Sequence, residues 1–359
     1  MPRPLAQQTV VITGASSGIG RCTAQHLAAR GARVVLTARR AEALAGLARQ
    51  IEVDGGKALP VPGDVTREAD LRAVARAAVE RFGAIDTWVN NAAVFIQGRV
   101  QDLTLDEYRR LFDVNLVGYI NGTQCALEPM LRQGSGNIIQ ISSIVAKRGA
   151  AWFSAYAASK AALDGFSQTL RAELWGTDVH VSTLYLPQLD TPIYRHSRGK
   201  FGTVPKPPPP VTDPLIAARA IARLAEKPAA ERFLGAFGYF YRGVAKLPAR
   251  AGDWFLHHTA GFTLSDIPDR GDNLDRPMDD VPRVRDGWAE RGWRGITLRE
   301  IARVLPWESA VGAAALGLAA GAAAKRMAGR NGRARPPGRG PGPRPGRRAL
   351  GTARRARGG

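Results

Sequence analysis

Thr9-Val10-Val11-Ile12-Thr13-Gly14-Ala15-Ser16-Ser17-Gly18-Ile19-Gly20 is a β-branched run, a turn punctuated by glycines and the opening of an Ala-containing helical stretch. Residues 9–13 read as a buried strand, and a helix opens near Gly18. Strand, glycine turn and helix start in that order set free backbone N–H groups and a positive dipole end where a pyrophosphate would bind. Gly14 permits the tight turn, Gly18 lets backbone approach the phosphates, and Gly20 lets the helix pack closely on the strand.

The same alternation continues outward. Strands are predicted at 33–37, 57–62, 85–90, 137–142 and 179–185. Between them 41–53, 67–82, 105–132 and 153–175 carry apolar residues at three- and four-residue spacing. Such alternation builds a parallel sheet with helices on both faces. Right-handed crossovers then favour an α/β doubly wound order of about seven strands. After Leu189 the pattern loosens. The basic stretch 190–212, with Pro207-Pro208-Pro209-Pro210, is too long for an ordinary connection and reads as a binding loop. A helix is expected over 213–226, with Thr212 as N-cap and Pro214 in its first turn. A seventh strand is expected over 232–237. The extension to residue 303 carries no readable pattern.

Of the 359 residues 45% are apolar, which suits a globular chain with a sizeable core, and the net charge is +20. That charge is concentrated: 325–359 holds twelve Lys or Arg and no acid, leaving +8 on the rest. This Gly- and Pro-rich tail buries too little apolar area to offset its ordering entropy, and is expected to lack fixed structure. It reads either as a plain solvated tail or as a binder of nucleic acid or anionic lipid. Residues 304–324, Ala/Gly/Leu-rich and broken only by Glu308, have the length of one membrane span; close packing on a protein surface uses the same residues. Cys22 and Cys125 suit packing in a reduced, cytoplasmic protein, and no secretory pattern precedes the first strand.

Further motifs follow. Asn90-Asn91-Ala92-Ala93 closes the fourth strand, Asn115 lies in Asp113-Val114-Asn115-Leu116, and Ser142-Ser143 closes the fifth. Tyr156-Ala-Ala-Ser-Lys160 lies on a helix. Tyr156 and Lys160 share a helix face. An ammonium there would lower the phenol from its usual value near 10 and make it a usable acid or base. Together with the glycine turn, residues 7–240 resemble the short-chain dehydrogenase/reductase family. The resemblance implies a Rossmann-like domain over 1–240 that transfers hydride between a nicotinamide dinucleotide and a carbonyl or alcohol, assembled as a homo-oligomer. It assigns the acid/base to Tyr156, a ribose contact to Lys160 and the substrate oxygen to Ser143, with Ser142 as the alternative. Asn115 would hold a water in a proton relay to Lys160. Nothing in this set requires a metal.

The cofactor residues implied are Thr13, Gly14, Ser16, Ser17, Gly18, Ile19 and Gly20 in the turn, Asp64 and Val65 at the adenine, and Asn91, Ala92, Pro187 and Thr191 further along, with Tyr156 and Lys160. Two departures are visible: Ala93 replaces a glycine, and Gln188 follows Pro187 where the family has Pro-Gly. Cofactor choice is read at the end of the second strand. An acid there would hold a ribose 2′-hydroxyl; Leu36-Thr37-Ala38-Arg39-Arg40 offers guanidinium groups, which pair with a 2′-phosphate. NADP(H) is the expectation, Arg39 being the first candidate and Arg40 the second. Phe95, Ile96, Trp152, Phe153 and the 190–212 loop are expected around an apolar substrate. Two other readings are a non-catalytic nucleotide-binding scaffold and a nucleic-acid- or membrane-binding protein acting through the tail.

Overall fold

Residues 3–291, apart from 270, 279 and 281, are described by the computed structural model, and all of them belong to one compact unit of the chain. In chain order come β1 (Thr9–Thr13), α1 (Gly18–Ala28), β2 (Arg33–Thr37), α2 (Ala41–Val53), β3 (Lys57–Pro60), α3 (Glu68–Phe82), β4 (Thr87–Asn90) and the short β5 (Ile96–Gln97). Then follow α4 (Leu105–Phe112), α5 (Gly118–Gln133), β6 (Gly136–Ser143), α6 (Ser154–Glu173), β7 (Val179–Leu186), β8 (Arg198–Gly199) and β9 (Thr203–Pro205). The described part ends with α7 (Pro214–Glu226), β10 (Glu231–Phe233), α8 (Gly235–Val244), α9 (Ala249–Thr259), β11 (Leu264–Pro268) and α10 (Trp288–Arg291).

The main sheet has seven strands in the order β10-β7-β6-β4-β1-β2-β3, and every neighbouring pair is parallel. The order reverses between β1 and β4, and ligands of open α/β sheets bind outside the strand ends at such a switch point. Successive side chains of a strand go to opposite faces. Val10 and Ile12 of β1 therefore join Leu27, Leu44, Leu47 and Ile221 in one core layer. Val11, between them, joins Leu71, Val74, Trp88 and Ile138 in the other. This is the Rossmann-like architecture expected.

Several local expectations change. The third strand stops at Pro60, two residues before Pro62, which has no N–H to give a neighbour. The fourth begins at Thr87. The long helix expected over 105–132 is interrupted by a π-helical turn, Asp113–Val117. Asp213, not Thr212, caps α7: its carboxylate accepts the Leu215 N–H at 2.8 Å, because Pro214 already occupies the first helical position. The last strand spans Glu231–Phe233, where 232–237 was expected, and Gly235, at φ +67°, turns the chain into α8. Among the described residues no helix is long and apolar enough to cross a membrane. The 304–324 and 325–359 expectations lie outside the described residues.

Candidate active site

The turn after β1 depends on two glycines in the left-handed region, Gly14 at φ +67° and Gly18 at φ +53°. Gly20 is held by space instead. A Cβ there would stand 2.3 Å from the Gly14 carbonyl oxygen and 2.8 Å from Asn91 Nδ2. Thr13 Oγ1 accepts the N–H groups of Asn91 (2.8 Å) and Ala92 (3.1 Å), and Asn91 Nδ2 donates to the Thr13 carbonyl at 2.8 Å. The ends of β1 and β4 are thereby stitched together at the switch point. Ser16, Ser17 and Ile19 line the start of α1, half-buried, and Thr191 lies against it, its Cβ 3.4 Å from where a Cβ on Gly18 would be. Pro187 is buried. Gln188 serves as an anchor for the loop, donating to the Pro210 carbonyl at 2.8 Å.

Asn115, fully buried in the π-helical turn, accepts the Val94 N–H and donates to the Val94 carbonyl, each at 2.9 Å. Both ends of its amide are committed. Its side chain clamps the segment after β4. The turn itself has this cause: one extra residue re-aims Asn115 toward Val94, as π-bulges at functional sites do.

At the end of β6, Ser143 and Ser142 face opposite ways. Ser142 donates to Asp164 at 3.3 Å, whereas the Ser143 hydroxyl donates to the Leu186 carbonyl at 3.5 Å, caps the following 3₁₀ turn and lies close enough to Tyr156 to pull its phenol down. Strand alternation thus separates the two candidates, and Ser143 is the one brought to Tyr156. Tyr156, in the first turn of α6, keeps part of its surface open. Lys160, one turn on, is 1% exposed. Its ammonium nitrogen donates to the Ile141 carbonyl (2.9 Å) and to the Tyr119 hydroxyl (3.1 Å), and lies 5.9 Å from the Tyr156 ring centroid. Burial pushes Tyr156 up to about 12, the Ser143 hydroxyl opposing it. Burial pulls Lys160 down to about 7 against the field of Asp164. The phenol is therefore not lowered here as the spacing led us to expect, because burial raises it and Ser143 only partly opposes that. Tyr119 escaped the sequence reading; its only signal was the four-residue spacing from Asn115.

The Lys160 shift carries a sign that can be measured. Between about pH 7 and the ordinary lysine value of about 10.4, the unfolded chain holds a proton that the folded one lacks. Stability from this residue therefore rises with pH across that window. Lys160→Met is expected to flatten the rise, read as the difference in urea midpoint between the two ends of the window. An unchanged slope would refute the depressed lysine.

Phe95, Phe153 and Tyr156 meet edge to face, with ring centroids at 4.9 and 5.0 Å. Trp152 lies 5.0 Å from Phe201 of the 190–212 loop. Tyr185, Phe233, Tyr241 and Leu256 extend the same apolar cluster. Ile96 departs from expectation: it is wholly buried in the core beneath the sheet.

The adenine end is more occupied than the sequence suggested. The Asp64 carboxylate accepts the N–H and hydroxyl of Thr66, each at 2.9 Å, and Val65 is buried beside it. Arg39 donates to the carbonyls of Asn273 (2.8 Å) and Asp275 (3.3 Å). Arg40 donates to the carbonyls of Met278 (3.0 Å) and Asp280 (2.9 Å) and to the Asp280 carboxylate (2.8 Å). Sequence reading missed these partners; the acid Asp280, which pairs with Arg40, was the available signal.

A family model described as short chain dehydrogenase matches residues 8–200. The chain belongs to that family. This short-chain dehydrogenase is 38% identical over 237 residues to an uncharacterized oxidoreductase, YxnA, of Bacillus subtilis, covering 65% of this chain and 67% of that protein. It is 37% identical over 180 residues to the ketoacyl reductase HetN of a Nostoc species, covering 50% of this chain and 63% of that one. Among solved structures it resembles a short-chain dehydrogenase from Streptomyces avermitilis (31% identity, TM-score 0.58, 66% of this chain and 90% of that one). An alcohol dehydrogenase from Thermococcus sibiricus complexed with 5-hydroxy-NADP is similar at 27% identity and TM-score 0.56, over 63% of this chain and 95% of that one. Short-chain dehydrogenases bind a nicotinamide dinucleotide, and the groove fits one. The left-handed Gly14 and Gly18, the close approach at Gly20 and the opening of α1 form a cradle of backbone N–H donors.

Proposed function

We propose that this oxidoreductase uses NADP(H) and reduces the carbonyl of an apolar substrate, or oxidises the corresponding secondary alcohol. The observation that carries the chemistry is Ser143 beside the Tyr156 phenol, with Lys160 buried one turn behind, next to the glycine cradle. The bound nicotinamide would supply or take up a hydride. Thr13, Gly14, Ser16, Ser17, Gly18, Ile19 and Gly20 would hold the pyrophosphate and adenosine ribose, Asp64 and Val65 the adenine, and Asn91, Ala92, Pro187 and Thr191 the nicotinamide end. Ser143 holds the substrate oxygen. Tyr156, its hydroxyl kept protonated by burial, donates the proton that a reduced carbonyl oxygen needs. The Lys160 charge stabilises the phenolate left behind. The ring cluster of Phe95 and Phe153 supplies an apolar wall. Turnover is tested by following oxidation of NADPH with a series of alkyl and aryl ketones of increasing size. Activity confined to small polar carbonyls would count against the apolar pocket.

The choice of NADP(H) rests on Arg39 and Arg40 at the end of β2, with no carboxylate in that stretch. A phosphate takes a charge-assisted bond from a guanidinium, contributing about 1.5–3 kcal/mol. Arg39→Ala is therefore expected to raise the NADPH/NADH ratio of Kd values about ten- to hundredfold. The ratio is the proper readout, since Arg39 also holds the chain at Asn273 and its loss changes both affinities through that contact. An unchanged ratio, measured by fluorescence titration, would remove Arg39 from the 2′-phosphate site. The NADP analogue in the Thermococcus structure agrees with this reading.

A further inference from the structure

Residues 272–288, apart from 279 and 281, run along the groove from its adenine end to its nicotinamide end and take its donors in turn. Carbonyls of Asn273 and Asp275 accept from Arg39, and the Met278 carbonyl with the Asp280 carbonyl and carboxylate accept from Arg40. The Arg283 carbonyl accepts the Gly18 N–H at 2.9 Å, at the opening of α1. The segment is held at both ends. Leu274 is buried in the core and its carbonyl accepts from Arg110 at 3.0 Å. Beside Thr191, the Asp190 carboxylate accepts the N–H groups of Asp286 (3.1 Å) and Trp288 (2.8 Å), and the buried Asp286 pairs with Arg195 at 2.8 Å. His196 Nε2 lies 2.7 Å from the Asp280 carboxylate.

We infer that this segment is a strap that occupies the phosphate-binding donors of the groove and has to leave them before a dinucleotide binds. The inference rests on the proposed cofactor reading. Every atom the strap presents to Arg39, Arg40 and Gly18 is an oxygen acceptor, as phosphate oxygens are. A single N–H at Gly18 cannot serve the Arg283 carbonyl and a pyrophosphate oxygen fully at once. Most of the strap's acceptors are neutral carbonyls. Phosphates carry full charges, and charge-assisted bonds are roughly twice as strong as neutral ones, so a dinucleotide can displace it. The contacts of the Asn273 carbonyl, Asp275, Met278, Asp280 and Arg283 give way, while the buried Leu274 and Asp286 keep the strap attached.

Only the strap-open state then binds, and the apparent Kd equals the intrinsic value divided by the open fraction. Loosening the strap therefore tightens every dinucleotide by one common factor. Asp280→Ala in the full chain removes the charged contact to Arg40 and the contact to His196 while leaving both arginines in place. NADPH and NADH are both expected to bind about tenfold more tightly, by fluorescence titration. Amide hydrogen exchange of 272–288 in the unaltered protein is expected to speed up when NADPH is added. Four results would overturn the strap. Slower exchange on adding NADPH would make the segment a lid that closes over the cofactor. Unchanged or weakened affinities in Asp280→Ala would show that its contacts hold nothing shut. A gain for NADPH alone would mean that Asp280 acts by direct repulsion of the 2′-phosphate. Absence of any dinucleotide binding to either protein would overturn the cofactor reading itself, and the strap with it.

Discussion

Tyr156→Phe is expected to lower turnover by about two to four orders of magnitude, the range that one positioned general acid or base contributes. The ring and its edge-to-face contact with Phe95 remain, so the fold and the apolar wall are kept and only the transferable proton is lost. Dinucleotide affinity is expected to stay within about threefold, which places the loss in the chemical step rather than in binding. Single-turnover measurement at saturating NADPH checks this. A folded Tyr156→Phe protein retaining a tenth or more of the activity would transfer the acid/base role away from Tyr156.

Gly20→Ala is the second substitution with a large expected effect, and it acts on binding and stability together. Its new methyl would meet the Gly14 carbonyl oxygen at 2.3 Å and Asn91 Nδ2 at 2.8 Å. The first is main chain in the turn between β1 and α1, and the second, at the end of β4, is held by the Thr13 carbonyl. Overpacking of this kind costs about 1–3 kcal/mol. Relief has to come from movement of the cradle, so dinucleotide affinity is expected to fall at least a hundredfold. Denaturant midpoint and cofactor titration measure the two effects separately. Near-normal values for both would show that the turn has room that the contacts at Gly14 and Asn91 deny.

The sheet and its cradle were legible because they depend on local pattern. Val10, Val11 and Ile12 had to be buried on both faces, and β1 and β2 fall where the β-branched runs place them. The site was legible wherever a side chain's chemistry follows from spacing, as for Tyr156 and Lys160. It was not legible where a distant partner decides. The break after α4 follows from Asn115 bonding Val94, twenty-one residues away, and helical periodicity carries no trace of that contact. The shift of Tyr156 depends on its burial, and the Lys160 ammonium beside it is held by a main-chain carbonyl and Tyr119. Main-chain acceptors explain the strap's invisibility too. Asn273, Met278 and Arg283 act through carbonyl oxygens that any residue would offer, leaving Asp280 as the one side chain whose charge complements the arginines. The preference for Ser143 over Ser142 depended on where the strand ends, and alternation along β6 sends the two hydroxyls to different partners.

Hydride transfer between a nicotinamide and a carbonyl carbon is the core of this account, and isotope transfer tests it most directly. The full chain is incubated with an apolar ketone and NADPH carrying deuterium at both C4 positions, and the alcohol formed is examined by mass spectrometry. One deuterium on the carbinol carbon of each product molecule is the expected result. No alcohol across the ketone series, with NADPH bound to the protein, or alcohol formed without deuterium, would contradict the account.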